Sequence, residues 1–364
     1  MVDLDLSPAA LAGEAMFEAA TMMFVFVVVL FVGSMVLPGR TGSGPDLEGR
    51  QRVYRLNGLA SFLSVMMLCC LAQVFGLFSL SAIHERFAAL FVVANGFAFV
   101  LSALLYLSGR RTRGTVPGTG RGFFLGLDHN PAWLGVDLKL FSYRPSLVAL
   151  ALINASFAVV QYETYGELTL AMTVYQILTF LYVFNYFQFE YGMTYTWDMT
   201  SERFGWMLVW GDYVLVPFFY SLPGWWLIHS PDSLSTAGAT AIILLFLFGG
   251  WMFRGANEQK HRFKLDSNAI IWGKPAESLE GRLLVSGFWG IGRHLNYTGE
   301  ILIYFAFTFT TGFGSWVPYL LPAWLAALLW HRSRRDDRRC RAKYGRLWEL
   351  YTQRVRYTMF PFIY

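Results

Sequence analysis

Long, nearly uninterrupted apolar runs constrain this chain more than any other feature, because a helix that crosses roughly 30 Å of hydrocarbon needs about 20 apolar residues. Ala15 to Leu37 is such a run. Others follow at Leu56 to Leu80, Phe87 to Leu107, Leu147 to Val160, Leu168 to Phe187, Phe204 to Ile228, Thr236 to Phe253, Tyr297 to Thr311 and Trp316 to Trp330. In lipid every backbone polar group must be satisfied within its own segment, so such runs are read as helices. The expected fold is therefore all-α: a polytopic integral membrane protein with about nine spans, or ten if a short piece such as Leu283 to Ile291 also crosses. Composition agrees, since charged residues make up 15% of the chain where soluble domains average about 25%. The first run is read as a retained span, because Met1 to Ala20 is acidic and the run is too long for a signal-peptide core.

Charge orders the spans, since Lys and Arg collect in short cytoplasmic loops. Counting alternately through the spans, one set of loops holds Arg40 to Arg55, Arg110 to Arg144, Arg203, Arg254 to Arg293 and Arg332 to Arg356; of the 29 basic residues, Arg86 alone falls in the opposite set. That asymmetry predicts a cytoplasmic C-terminus, with the side of the N-terminus depending on whether a tenth piece crosses. The net charge of +5 is then accounted for by topology and anionic lipid headgroups, and calls for no nucleic acid. Of the three cysteines, Cys69 and Cys70 are adjacent, where a mutual disulfide would be strained.

Three polar clusters near the cytoplasmic ends of the later runs carry the candidate chemistry. Lys260 and Lys264, four apart, share a helical face and can grip phosphate, or simply anchor the span. The segment Leu283 to Glu300 places Gly287, Gly290, Gly292 and Gly299 among Arg293, His294, Asn296 and Tyr297 at a span entrance, which suits a ligand cradle or close helix packing. No G-x-G-x-x-G occurs, so a Rossmann fingerprint is excluded. The third cluster runs from His331 to Gly345, and Asp336, Cys340, Lys343 and Tyr344 within it fall on one face of a helix. His331 and Cys340 lack nearby partners for a zinc site, so no metal is expected.

Those residues carry a family resemblance. The block His331-Arg332-x-x-Arg335-Asp336-x-x-x-Cys340-x-x-Lys343-Tyr344-Gly345 resembles the C-terminal signature of the sterol reductases, whose branches include Δ14-sterol reductase, the lamin B receptor and 7-dehydrocholesterol reductase. Leu283 to Gly299 is similar to the block LLVSGxWGxxRHxNYxG of that family, and Gly211-Asp212 through Pro217, Tyr220 and Leu222 to GDxxxxPxxYxLQ, with Pro223 in place of the Gln. Between Phe124 and Pro145 the residues Phe124, Gly126, Asn130, Pro131, Asp137, Lys139, Arg144 and Pro145 match, while Asp128-His129 and Ala132-Trp133 depart. The likeness runs from Phe123 to Tyr364, which divides the chain into N-terminal transmembrane helices over 1–122 and a sterol reductase catalytic region over 123–364. The C-terminal residues resemble the Δ14 and lamin B receptor branch, and Ile271 to Pro275 the Δ7 branch.

The resemblance implies NADPH-dependent reduction of a sterol ring double bond, the Δ14 bond first and the Δ7 bond as the alternative. An isolated alkene must be protonated to a tertiary carbocation before it accepts hydride, so an acid, a dry pocket and a fixed nicotinamide are required. It implies a cytoplasmic-side cofactor pocket in the C-terminal half, formed by Lys260, Lys264, Leu284, Trp289, Asn296, Tyr297, Asp336, Cys340, Arg341, Ala342, Lys343, Tyr344 and Tyr351, with Arg293 and Arg335 in support. For the proton, Glu190, Asp198, Glu202 and Asp212 lie between two spans, where a carboxyl is costly unless paired or used. Glu202 and Asp198 are the first candidates, with Asp212 and Tyr220 as rivals.

Two other classes compete. Arg293-His294-x-x-Tyr297-x-Gly299 followed by a basic helix also resembles membrane methyltransferases of the isoprenylcysteine type, which use S-adenosylmethionine; Lys260, Lys264 and the Arg335 to Gly345 block suit a pyrophosphate cofactor better. A non-enzymatic scaffold would bring an additional N-terminal domain, whereas the first span here starts near Ala15. The implied partners are a sterol entering from the bilayer and membrane lipids. The excess of Arg over Lys points to GC-rich coding and a bacterial inner membrane, or the endoplasmic reticulum in a eukaryote.

Overall fold

A computed structural model describes residues 11–47, 50–113, 119–230 and 234–363. The acidic N-terminal stretch, the two Gly-rich basic loops and the turn at Pro231 therefore lie partly outside the described residues. The chain forms two compact units, Met1–Pro231 and Asp232–Tyr364. Residue 122, the boundary expected from the family likeness, lies inside the first.

In the first unit, α1 (Gly13–Val36) leads into a β-hairpin of β1 (Arg40–Leu47) and β2 (Arg50–Leu56), then α2 (Gly58–Val74), α3 (Ser81–Glu85), α4 (Phe87–Arg113) and α5 (Thr119–Leu125). A small hairpin, β3 (Ala132–Trp133) and β4 (Val136–Asp137), opens onto α6 (Leu138–Tyr165), followed by α7 (Leu170–Gln188), α8 (Glu190–Met193), α9 (Trp197–Ser201) and α10 (Trp206–Trp210). A π-helical stretch, Gly211–Phe219, and α11 (Leu222–Leu227) close the unit. Helix α6 is its axis: it packs on α1, α2, α3, α7, α11 and the π-helix. Its apolar window is 67% buried, against 22% for α1, which turns Phe17, Phe24 and Val36 outward to lipid. Asp137 starts α6 by accepting from the amides of Lys139 and Leu140 at 3.1 and 3.0 Å, satisfying donors that a helix N-terminus leaves open.

The second unit begins with α12 (Thr236–Leu265). Two short hairpins follow, β5 (Ile270–Ile271) with β6 (Lys274–Pro275) and β7 (Ser278–Leu279) with β8 (Leu283–Leu284). Next come α13 (Phe288–Ile291), α14 (Leu295–Phe309), a 3-10 turn at Val317–Tyr319, α15 (Leu320–Tyr344) and α16 (Arg346–Arg354). Helices α12 and α14 pack through glycine: a Cβ at Gly299 would strike the backbone of Gly249 and Phe253, so their axes approach as only small residues permit.

Among the described residues five helices, α1, α4, α6, α7 and α12, are long and apolar enough to cross a membrane, and α2 is a shorter apolar helix. This is a polytopic, mostly helical membrane protein. The sequence count of nine or ten rests on apolar runs, and the remaining runs take other forms. Phe204 to Ile228 is broken into α10, the π-helix and α11; α14 has 15 residues; the first half of α15 continues into a charged half. Leu283 to Ile291 becomes a strand and a four-residue helix, too short to cross.

Candidate active site

The second unit gathers most of the proposed cofactor residues at the charged end of α12. Gln259 accepts from the Phe288 amide at 2.8 Å, and the Trp289 indole donates to the Ala256 carbonyl at 2.7 Å. These bonds fix the Trp289 ring, over which the Lys260 ammonium sits 4.2 Å from the centroid. Leu284 lies behind it in the apolar cluster of Ala256, Phe263, Ile271, Phe288, Trp289 and Leu295. Tyr351 donates to the Trp289 carbonyl at 3.3 Å, and burial pushes its phenol pKa upward. Lys264 is within electrostatic reach of the cations Lys260, Lys343 and Arg339 and of the Asp336 carboxylate.

His294 and Tyr297 stack at 4.9 Å and 11°, and His294 Nε2 lies 3.8 Å from Asp336 Oδ2, beyond hydrogen-bond reach. Burial first, then Lys260 and Arg293, drive the imidazole pKa down to about 3, so His294 is neutral at physiological pH. Asn296 donates to Asn257 Oδ1 at 3.1 Å, while its own buried Oδ1 has no partner among the described residues. Arg293 acts as a strut: it donates to the carbonyls of Val355 and Arg356 at 2.7 and 3.1 Å and to Thr358 Oγ1 at 2.8 Å. On α15, Cys340 and Tyr344 pack against Trp348 and Tyr351, and burial raises the thiol pKa to about 11, which suits a packed residue and not a nucleophile. Arg282 and Lys343 flank the Tyr344 ring at 5.2 and 5.1 Å. Arg335 and Ala342 are exposed, and Arg341 turns to Asp337 at 3.7 Å, away from the face of Asp336 and Cys340.

The four candidate acids of the first unit separate by environment. Glu190 is committed to structure: Arg144 lies 3.2 Å from its Oε1, both side chains about 5% exposed or less, and the Gly58 amide donates to its Oε2 at 2.8 Å. Glu202 accepts from the Trp197 indole at 2.8 Å. Asp198 and Glu202 belong to a segment held by Lys139, a residue that matches the family block and to which the sequence assigns no role. Lys139 is 1% exposed, and its ammonium donates to the carbonyls of Asp198, Met199 and Glu202 at 2.8, 3.3 and 2.7 Å. The segment is pinned again where Phe204 donates to the Asp128 carbonyl at 2.9 Å. A Cβ at Gly205 would run into the backbone of Gly126, which is why those loops meet at two glycines. Asp212 opens the π-helix, with Asp198 and Lys139 as electrostatic neighbours, and Tyr220 follows that helix. A lysine in an Asp-Leu-Lys triplet carries no periodic signal, and that explains why its role is hidden in the sequence.

A polytopic helical protein with a cationic, aromatic cradle at the end of α12 is thereby defined. The Ergosterol biosynthesis ERG4/ERG24 family model matches residues 9–364, and the chain belongs to that family. The match extends N-terminally beyond Phe123. Among curated relatives, a Delta(14)-sterol reductase of Methylotuvimicrobium alcaliphilum is 40% identical over 352 residues, covering 92% of this chain and 81% of its own. The Delta(14)-sterol reductase of Arabidopsis thaliana is 36% identical over 356 residues, covering 95% and 96%. A 7-dehydrocholesterol reductase of Xenopus laevis is 36% identical over 332 residues, covering 85% and 70%. No methyltransferase is among these three relatives.

Proposed function

We infer that the protein is a sterol reductase that uses NADPH to saturate the Δ14 double bond of a sterol drawn from the bilayer. The carrying observation is the likeness to the plant Delta(14)-sterol reductase, which takes in nearly the whole of both chains. Relatives named for 7-dehydrocholesterol keep a Δ7 bond as the second reading.

The cradle of the second unit fits a dinucleotide phosphate. Lys260 and Lys264 stand beside Lys343 and Arg339, a concentration of positive charge that suits a multiply charged phosphate. Asn296 Oδ1 adds a buried acceptor with no partner among the described residues. Asp336 is a second acceptor at the same site, kept beside a neutral His294. NADPH, when bound, supplies hydride to one carbon of the reduced bond. The chain's own task is to hold that coenzyme, exclude water and deliver a proton to the other carbon. Glu202 and Asp198 are our candidates for that last role, since Lys139 holds the backbone of both at fixed positions. A cytoplasmic C-terminus in a bacterial inner membrane fits the loop charges.

Purified protein incubated with NADPH and a Δ8,14 sterol beside a Δ7 sterol tests this by mass spectrometry. The Δ8,14 sterol is expected to gain two hydrogens, one of them deuterium when the coenzyme is 4-deuterated. Conversion of the Δ7 sterol in its place moves the assignment to the second reading, and conversion of neither with bound NADPH overturns both.

A further inference from the structure

In the second unit the chain's last residues return to the start of α14. Beyond α16, Val355 to Met359 lies as a strap beside Gly292, joined to it by a parallel bridge at Tyr357. The Arg293 and His294 amides donate to the carbonyls of Tyr357 and Thr358 at 3.0 and 2.7 Å, and Thr298 Oγ1 donates to the Met359 carbonyl. Val355 and Met359, each 1% exposed, fasten the two ends of the strap. Helix α14 has no side-chain cap at His294, and its entry is held by these strap carbonyls instead.

The Arg293 guanidinium turns the same way. Among the described residues its hydrogen bonds go to the strap, where the Thr358 hydroxyl, at 2.8 Å, is the side-chain acceptor beside two carbonyls. A planar guanidinium fork suits several fixed acceptors at once, and such charge-assisted bonds are strong. Asn296 and Tyr297 follow within one turn, and the His294 ring stacks on that of Tyr297. Where those side chains stand is therefore set by backbone that the strap holds. We propose that Thr358 is a positioning residue for the coenzyme: with Arg293 it clamps the C-terminal strap to the backbone that presents Asn296 and Tyr297. The proposal rests on the coenzyme reading given above. The strap touches the start of α14 from a segment to which the sequence assigns no part in the pocket.

The test pairs two measurements on the full chain in lipid nanodiscs: hydrogen exchange over 292–298 without coenzyme, and NADPH affinity by calorimetric titration. Thr358→Val deletes the hydroxyl and keeps the β-branched shape and the backbone carbonyl. It is expected to speed exchange of the Arg293 and His294 amides and to weaken NADPH, each about fivefold, the ratio that one net hydrogen bond gives. Thr358→Ser, which keeps the hydroxyl, should recover both. Arg293→Lys should show the loss by itself, and adding Thr358→Val should make it no larger, since both changes cut one clamp. Unchanged exchange in Thr358→Val, faster exchange with NADPH affinity unchanged, or an additive loss in the double variant overturns the proposal. A wild type that binds no NADPH fails one step earlier, at the coenzyme reading, and takes the positioning role down with it.

Discussion

At the scale of single residues, burial keeps one histidine of the second unit neutral. His294 has a folded pKa of about 3 against an ordinary 6.5, so its contribution is whole above pH 6.5. Between those values the unfolded chain takes up a proton that the folded one refuses, and stability falls by about 1.4 kcal/mol per pH unit. Thermal melts of the wild type are expected to drop between pH 7 and 5, with a flatter profile in His294→Gln; parallel profiles would remove His294 from the account. Asp336→Ala and Tyr297→Phe should each weaken NADPH by about 1 to 3 kcal/mol in calorimetric titration while the melting temperature holds. Unchanged affinity in both would reduce the block to a surface anchor. Lys260, Lys264 and Asp336 are legible because cations at helical spacing and a signature acid stand out in an apolar chain. The neutrality of His294 is not: adjacent Arg293 is visible in the sequence, but the burial that dominates and the approach of Lys260 are non-local.

At the scale of elements, the Arg144–Glu190 pair ties α6 to the residues that begin α8, and its Glu190 Oε2 also holds the first amide of α2. Removing one member of a buried pair strands the other, so Glu190→Ala should cost about 3 to 5 kcal/mol. Glu163→Ala, at an exposed site near the end of α6, should cost nothing measurable by the same melt. Comparable losses in the two would show that the pair has no special weight. From the sequence, Glu190 groups with the acids of possible catalytic use, because charge between spans signals either pairing or chemistry and the chain order does not say which. The β1–β2 hairpin reads as a basic loop for a similar reason: Gly, Pro and Asp punctuate it, and the pairing that makes it a strand is non-local. The π-helix at Gly211–Phe219 contains Pro217, which has no N–H to donate, yet periodicity announces only an apolar run.

At the scale of the molecule, the loop charges make a topological claim that labelling can check. Gly314 lies between α14 and α15, and Arg338 lies in the charged half of α15. In a bacterial host, with Cys69, Cys70 and Cys340 replaced by Ser, a membrane-impermeant maleimide is expected to reach Gly314→Cys in intact cells. It should reach Arg338→Cys after permeabilisation and not before. The reverse pattern would invert the assigned orientation. The membrane class is legible from hydropathy because lipid imposes length and apolarity on every span. The number of crossings is not, since α14 and the broken stretch around the π-helix satisfy that rule only in part.

Lys139 grips three carbonyl oxygens of the segment from Asp198 to Glu202, with the carboxylates of both those residues as its electrostatic neighbours. Its hydrogen bonds go to the backbone, so an isosteric exchange of a carboxylate for an amide leaves those three contacts in place. An activity lost in Glu202→Gln, whose amide oxygen still accepts from the Trp197 indole, would then speak of chemistry and not of a loop come loose.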